Sequence, residues 1–244
     1  MKKFNRLPSI MVSLSFAAIT LISGCTSGES NPQHVNDWPG FGHDFSNNKF
    51  SPLDYINVSN VQKMKVVWKY EEATGNGSSI FFNPIIVKGR MIALMPSNKL
   101  VALEPSSGKK LWEFIPDSSE VSNWTKGVTF NEGSDGRPDP LLFINGSTLY
   151  SINANDGTLN TSFGKNGKVD FYEGLSIEPW MRSKVPVSSN APGVVYKDLF
   201  IVGCKVPDEL PSIPGDIRAF NVITGKLVWV FHTIPAAGEF GSET

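Results

Sequence analysis

Cysteine is scarce in this chain: Cys25 and Cys204 are the only two in 244 residues. A disulfide framework of the kind that staples small secreted domains is therefore excluded. Excess charge of either sign is also missing, with 22 Lys and Arg against 23 Asp and Glu. No basic footprint points to nucleic acid, and none is expected as a partner. Histidine occurs three times, at His34, His43 and His232, without the short spacings that build zinc sites. A phosphate-binding P-loop, a G-x-S-x-G elbow and a paired zinc motif are all absent. Beyond the first 25 residues no stretch carries apolar side chains at a sustained helical period.

What the chain has in quantity is glycine and proline, 22 and 17 residues, placed between short apolar runs. That punctuation, with 40% hydrophobic and 18% charged residues, predicts a β-rich globular protein with many turns. Residues 1–25 read as a targeting segment. Lys2, Lys3 and Arg6 precede an apolar stretch from Ile10 to Ile22 that is short for a membrane span. The stretch ends in Ile22-Ser23-Gly24-Cys25, which resembles the bacterial lipobox; the resemblance implies lipidation of Cys25 and a membrane-anchored protein. An ordinary signal peptide with an incidental cysteine is the other reading. Removal of residues 1–24 would leave 19 basic against 23 acidic side chains. The expected location is the bacterial cell envelope, lipid-anchored and periplasm-facing, with the outer membrane favoured. Residues 26–36 are polar and read as a flexible tether. With Cys25 lipidated, Cys204 has no partner, and it reads as a small buried hydrophobe after the run LFIVG.

The body, residues 37–244, contains a repeat. VALEPSSGKKLWEF (101–114), YSINANDGTLNTSF (150–163) and RAFNVITGKLVWVF (218–231) align on Gly108, Gly157 and Gly225. Six residues before each glycine stands Ala102, Ser151 or Ala219, and six after it Phe114, Phe163 or Phe231. Four after it stands Trp112 or Trp229, with Thr161 in the middle copy. Such a segment predicts a β-hairpin whose turn needs a positive φ that glycine adopts readily. The aromatics on the returning strand share a face and are placed to pack on the next sheet. A further strand-like run precedes each hairpin, at 90–95, 140–146 and 198–203, so each unit has at least three strands and room for a fourth. The glycines lie 49 and 68 residues apart, a spacing that suits propeller blades with insertions. A β-sandwich with coincidental hairpins is the alternative. Residues 58–70 start as a helical turn and end strand-like, as the outer strand of a further blade.

The segment DWPGFGHDFSNNKFSPLDYINVSNVQKMKVVWKY (37–70) resembles the opening of the quinoprotein dehydrogenases, enzymes that use pyrroloquinoline quinone (PQQ). The residues that carry the resemblance are Trp38, Pro39 and Gly42, then Phe50-Ser51-Pro52-Leu53, Ile56-Asn57, Asn60-Val61 and Trp68. Further matches run through 83–94, 101–114, 162–171, 191–203 and 215–241, and the last is similar to the glucose dehydrogenase branch. The resemblance implies an all-β fold, a partial β-propeller of about three blades out of eight. It implies PQQ over a calcium ion near the axis, and oxidation of a sugar or an alcohol by hydride transfer to the quinone.

Site residues follow from the same resemblance. Lys126 in NWTKGVTF stands where relatives carry an arginine against the cofactor's carboxylates; lysine keeps the charge but not the bidentate fork. Ser189 in SSNAP matches a cofactor-bonding hydroxyl, and Asp208, beside Glu209, matches a calcium ligand. For each the other reading is a solvated or turn residue. Phe81 occupies a position where relatives have Gln or Glu and cannot make that hydrogen bond. His232 reads as structural; Trp180 lines the funnel or packs. The family's base, second calcium segment and quinone-floor tryptophan are expected C-terminal to Gly241, so the chain is expected to be the N-terminal portion of such an enzyme and inactive alone. The alternative is a non-catalytic lipoprotein remnant or a partial propeller used for binding or scaffolding. No C-x-x-C-H haem motif is present, and the electron acceptor, quinone or cytochrome, is not assigned.

Overall fold

The computed structural model describes residues 37–44, 46–72, 80–117, 125–134 and 137–243. The leader, Cys25 and the tether lie outside the described residues. Among the described residues, twelve strands form three antiparallel sheets of four, each in simple meander order. The first contains β1 (Ile85–Val87), β2 (Arg90–Leu94), β3 (Leu100–Leu103) and β4 (Lys110–Phe114). The second contains β5 (Thr129–Phe130), β6 (Pro140–Asn145), β7 (Thr148–Asn153) and β8 (Lys168–Asp170). The third contains β9 (Val194–Tyr196), β10 (Leu199–Gly203), β11 (Ile217–Asn221) and β12 (Leu227–Phe231). The only helical elements among the described residues are two single 3-10 turns, Val61–Lys63 and Met181–Ser183.

The sheets stack face to face. Ile92, Leu94, Leu100 and Ala102 of the first meet Leu141, Phe143, Tyr150 and Ile152 of the second in one apolar cluster. The other face of the second sheet, through Leu142, Ile144 and Leu149, meets Phe200, Val202 and Phe220 of the third. Strands β6 and β7 contribute to both clusters, which accounts for the uninterrupted apolar run from Leu141 to Ile144. Such a strand has no solvent face to alternate towards.

The repeat glycines sit where the sheets touch. The indole of Trp112, on β4, lies against Gly157 in the second sheet, and its N–H donates to the Ala154 carbonyl at 3.1 Å. Trp68 does the same one step earlier, against Gly108, with its N–H on the Pro105 carbonyl at 2.9 Å. Each carbonyl lies three residues before its glycine. A Cβ at Gly108 or Gly157 would come within 2.5 or 2.7 Å of the indole, so absence of a side chain matters here as much as the positive φ of 70° or 77°.

The middle repeat departs from its expected hairpin. After Gly157 only Leu159 bridges back to Ile152, and the outer strand is instead β8, paired with β7 from Thr148 to Tyr150. Thr161 stands where the tryptophan would be, and Phe163 turns inward and is fully buried. The contact onto Gly225 is made by Phe163, Gly164 and Val169, with the Gly164 N–H donating to the Thr224 carbonyl at 2.9 Å. Residues 64–70, expected to end as an outer strand, form no strand among the described residues; Trp68 and Tyr70 anchor them to the first sheet.

Polar clamps reinforce both seams. Lys88, in the β1–β2 turn, places its ammonium 2.9 Å from both carboxylate oxygens of Asp139, ahead of β6. Asp139 also accepts from the Gly133 N–H at 2.9 Å. Across the other seam, the fully buried Arg218 donates to the Phe171 and Glu173 carbonyls at 2.6 and 2.8 Å and to the Cys204 sulfur at 3.0 Å. Its guanidinium carbon lies 4.2 Å from the Phe171 ring centroid. Burial pushes the Cys204 thiol up, against the pull of Arg218, which keeps it neutral.

Two outcomes are expected. Gly157→Ala should destabilise the chain by about 1–3 kcal/mol more than Gly89→Ala in urea unfolding. Gly89 shares the positive φ of 73° but has nothing within 4 Å of an added Cβ, so it isolates the backbone cost. Equal losses would show that the indole does not need the bare glycine. The second outcome concerns acid. Burial pushes the Asp139 carboxyl up, but Lys88 and the Gly133 N–H outweigh it and hold the group below its usual range. A depressed carboxylate stabilises the fold fully above its unfolded value, about 4, and loses that contribution as pH falls through the lower folded value. Asp139→Asn should therefore lower stability at neutral pH and flatten its decline below about pH 4; an unchanged acid profile would contradict this.

Candidate functional site

Antiparallel meanders give the stack two distinct ends. The segments entering β1, β5 and β9, and the connections β2–β3, β6–β7 and β10–β11, lie at one end. The β1–β2 and β3–β4 turns, with their counterparts, lie at the other. Lys126, Ser189 and Asp208 all fall at the first end: Lys126 and Ser189 enter β5 and β9, and Asp208 lies in the β10–β11 connection.

The entering segments are tied side by side through their main chains. The Asn83 N–H donates to the Lys126 carbonyl at 2.9 Å, and the Lys126 N–H donates to the Asn190 carbonyl at 2.9 Å. Ser188 then pairs with Lys205 as an isolated bridge, the Lys205 N–H reaching the Ser188 carbonyl at 2.7 Å. The Thr129 hydroxyl fastens the same region by donating to the Pro192 carbonyl at 2.6 Å. Four stretches far apart in sequence thus form one continuous floor: 81–83, 125–127, 188–192 and 204–205.

Side chains on this floor differ in availability. Lys126 is exposed, with its backbone held on both sides. Ser189 is 2% exposed, and its hydroxyl donates to the Ala191 carbonyl at 3.1 Å. Asp208 is exposed, as is Glu209. The main-chain ties join the Lys126 and Ser189 segments, whereas Asp208 lies three residues past the last tied position, Lys205. Phe81 is exposed at the same end.

Two amides that sequence reasoning passed over belong here. The Asn190 side-chain oxygen is buried and has no hydrogen-bond partner. The Asn98 side chain is 7% exposed, its oxygen equally unsatisfied, and it lines a small hollow with Phe81, Met95 and Thr125. Buried acceptors without donors are costly and mark places where a ligand proton or a cation fits. The only signal for Asn190 was its place beside Ser189 in SSNAP.

A third feature is the fully buried Asp216, at the start of β11, which faces the His232 Nδ1 at 3.2 Å and the Thr233 N–H at 3.4 Å. The pair holds the chain leaving β12, which agrees with a structural His232. Trp180 is 54% exposed in the β8–β9 connection and does not join the core. Among the described residues no three His, Cys, Asp or Glu side chains converge to hold a metal ion. Asp208 by itself falls short of the six to eight oxygens that calcium takes.

Comparison with known proteins accords with this architecture. The sequence profile of the PQQ family described as glucose/ethanol/alcohol dehydrogenase, β-propeller domain, matches residues 38–244. Quinate/shikimate dehydrogenase (quinone) of Acinetobacter baylyi is 29% identical, aligned over 80% of this chain and 27% of its own. Quinoprotein glucose dehydrogenase A of Acinetobacter calcoaceticus is 28% identical over 94% of this chain and 34% of its own. The crystal structure of quinohemoprotein alcohol dehydrogenase from Comamonas testosteroni superposes with a TM-score of 0.64 at 21% identity, over 82% of this chain and 28% of that one, a likeness of fold. The chain thus spans about a third or less of the relatives it matches. Three serial four-stranded sheets, tied at one end by their entering segments and matched from Trp38 onward, identify this chain as a member of the PQQ-dependent glucose/ethanol/alcohol dehydrogenase β-propeller family.

Proposed function

We propose that this chain is the N-terminal part of a membrane-anchored PQQ-dependent dehydrogenase that oxidises a sugar or an alcohol. The observation that carries the reading is the tied floor, where Asn83, Lys126 and Asn190 are joined through their main chains at the end of the stack that receives all three entering segments. The family match over 38–244 supports it. Anchoring through lipid on Cys25 and a periplasm-facing location belong to the same proposal and rest on the leader sequence.

When bound, PQQ supplies the quinone carbon that accepts hydride. The residues of this chain would hold and orient it. Lys126 presents an ammonium to the cofactor's carboxylates as a point charge; its main chain is already fixed, so only the side chain has to order on binding. The unsatisfied Asn190 oxygen is suited to accept a proton donor from the ring system. Ser189 uses its one proton on Ala191, which leaves its oxygen to act as an acceptor. Asp208 remains the candidate cation contact from this chain, and a calcium site would need further oxygens. None of these residues is assigned as the group that accepts the substrate proton, and the reading is that this chain holds cofactor without turning over substrate.

Equilibrium dialysis of PQQ against the purified chain should show saturable binding. Lys126→Met should raise Kd about tenfold, ~1.4 kcal/mol, and Lys126→Arg should lower it by restoring the fork. Absence of saturable binding, or a Met variant equal to the parent, would overturn the assignment. Dye-linked oxidation of glucose by the chain with PQQ and calcium should stay at background; enzyme-like turnover would refute the inactive reading.

A further inference from the structure

The chain leaving β12 sets an imidazole between a buried acid and an exposed one. Asp216, just ahead of β11, is fully buried. One of its carboxylate oxygens lies 3.2 Å from the His232 Nδ1, and the other accepts from the Thr233 N–H at 3.4 Å. On the far side of the ring, Nε2 lies 3.8 Å from a carboxylate oxygen of Glu239. The His232 side chain is 28% exposed and that of Glu239 45%, so solvent protons reach the ring and the outer acid is free to swing away. Meander order returns this segment to the end of the stack that carries Lys126 and Ser189.

Glu239 also organises its own loop. Its second carboxylate oxygen accepts from the Ala236 N–H at 2.8 Å, and its N–H donates to the Ala236 carbonyl at 3.0 Å. Its carbonyl receives the Ser242 N–H at 3.1 Å. The large apolar side chains of this loop, Ile234 and Phe240, are exposed and give it no anchor in the core. The position of Glu239 therefore decides where the loop lies. Among the described residues, the Asp216 and Glu239 carboxylates are the charged groups within 4 Å of the imidazole. Lys205, Asp208 and Glu209, in the adjoining β10–β11 connection, make no ion pair with it. Behind Asp216, the Cys204 thiol donates to the Asp216 main-chain carbonyl at 3.4 Å, and Arg218 bonds that sulfur at 3.0 Å.

A neutral imidazole has one N–H to give. Placed on Nδ1, it serves the buried Asp216 carboxylate, which has no water to turn to. The Nε2 lone pair then faces the Glu239 carboxylate, an unfavourable meeting. A protonated ring donates from both nitrogens and pairs with both acids at once. We propose that His232 is a proton-operated latch: protonated, it ties Glu239 to Asp216 and holds loop 233–242 against the entrance to β11; neutral, it keeps Asp216 and releases Glu239. Protonation and closure favour one another, because the second N–H meets its carboxylate only in the closed loop. The contribution of the latch is present on the acid side and is lost as pH rises through the imidazole range, about pH 5 to 8. Order at this end of the stack thereby becomes sensitive to acidity.

Amide hydrogen exchange of the full chain, with no PQQ added, reads the loop and is independent of the cofactor assignment. Rates are referred to those of an unstructured peptide at each pH. The Ala236, Glu239 and Ser242 amides should be about three- to fivefold better protected near pH 5.5 than near pH 8, the scale of a partly exposed ion pair. His232→Asn keeps a donor for Asp216 but removes the titrating ring. Glu239→Gln keeps an acceptor for the Ala236 N–H but removes the charge. In both variants the protection of the loop should be flat across this range, while the Ala219 and Phe220 amides of β11 exchange as in the parent. Glu239 is exposed, so the second variant tests the latch even where the first disturbs the sheet. Equal loop protection at both pH values in the parent, or a pH-dependent loop in Glu239→Gln, would overturn the proposal.

Discussion

An indole resting on a bare glycine sets the geometry of this stack. Trp68 and Trp112 each need a neighbouring turn without a side chain, so that the ring plane reaches the backbone and its N–H finds a carbonyl three residues earlier. One contact fixes a distance through van der Waals closeness and an orientation through a hydrogen bond. Ordinary apolar packing supplies most of the free energy, but it is non-directional and tolerates sliding. The indole contact does not. It fixes the 64–70 segment on the first sheet and the first sheet on the second.

That placement reaches the other end of the sheets. The entering segments can exchange main-chain hydrogen bonds only if successive sheets are held at constant offset. The Asn83–Lys126–Asn190 line is therefore a result of seam geometry as much as of local sequence. Where the indole is missing, at Thr161, other contacts take over: Phe163 and Gly164 against Gly225, and the buried Arg218 tying β11 to the chain after β8. Both terminal nitrogens of the guanidinium bond neutral carbonyls or a thiol and its face rests on Phe171, while Nε is buried without a partner.

Much of the fold was legible in the sequence because its determinants are local. Asp156-Gly157 and Thr224-Gly225 announce turns, and Trp112 and Trp229 lie four residues past their glycines in the first and third copies of the repeat. The displaced outer strand β8 was not legible. The pairing of β8 with β7 joins residues about 20 positions apart, beyond the hairpin that the repeat announces. Of the candidate site, the sequence named Lys126 and Ser189, which lie on one tied floor, and Asp208, which lies past its edge. What joins them is main-chain bonding between segments 43 and 64 residues apart, as Asn83 is to Lys126 and Lys126 to Asn190, and main-chain groups carry no residue-specific signal. The Lys88–Asp139 and Asp216–His232 pairs escaped for the same reason, since neither burial nor partner is written in the residues that flank them.

The second sheet is packed between two other sheets among the described residues. All six positions of β6, Pro140 through Asn145, are buried, whereas β12 keeps Val228, Trp229 and Phe231 exposed. Substitutions therefore weigh unevenly along the chain. A change in β6 disturbs two seams at once and has no outward position that could absorb a polar or larger residue. A change in β12 touches one sheet's margin. Sequence drift should accordingly be slow in the second sheet's inner strands and faster in the strands flanking them, a gradient that runs across the stack and has its minimum at its middle.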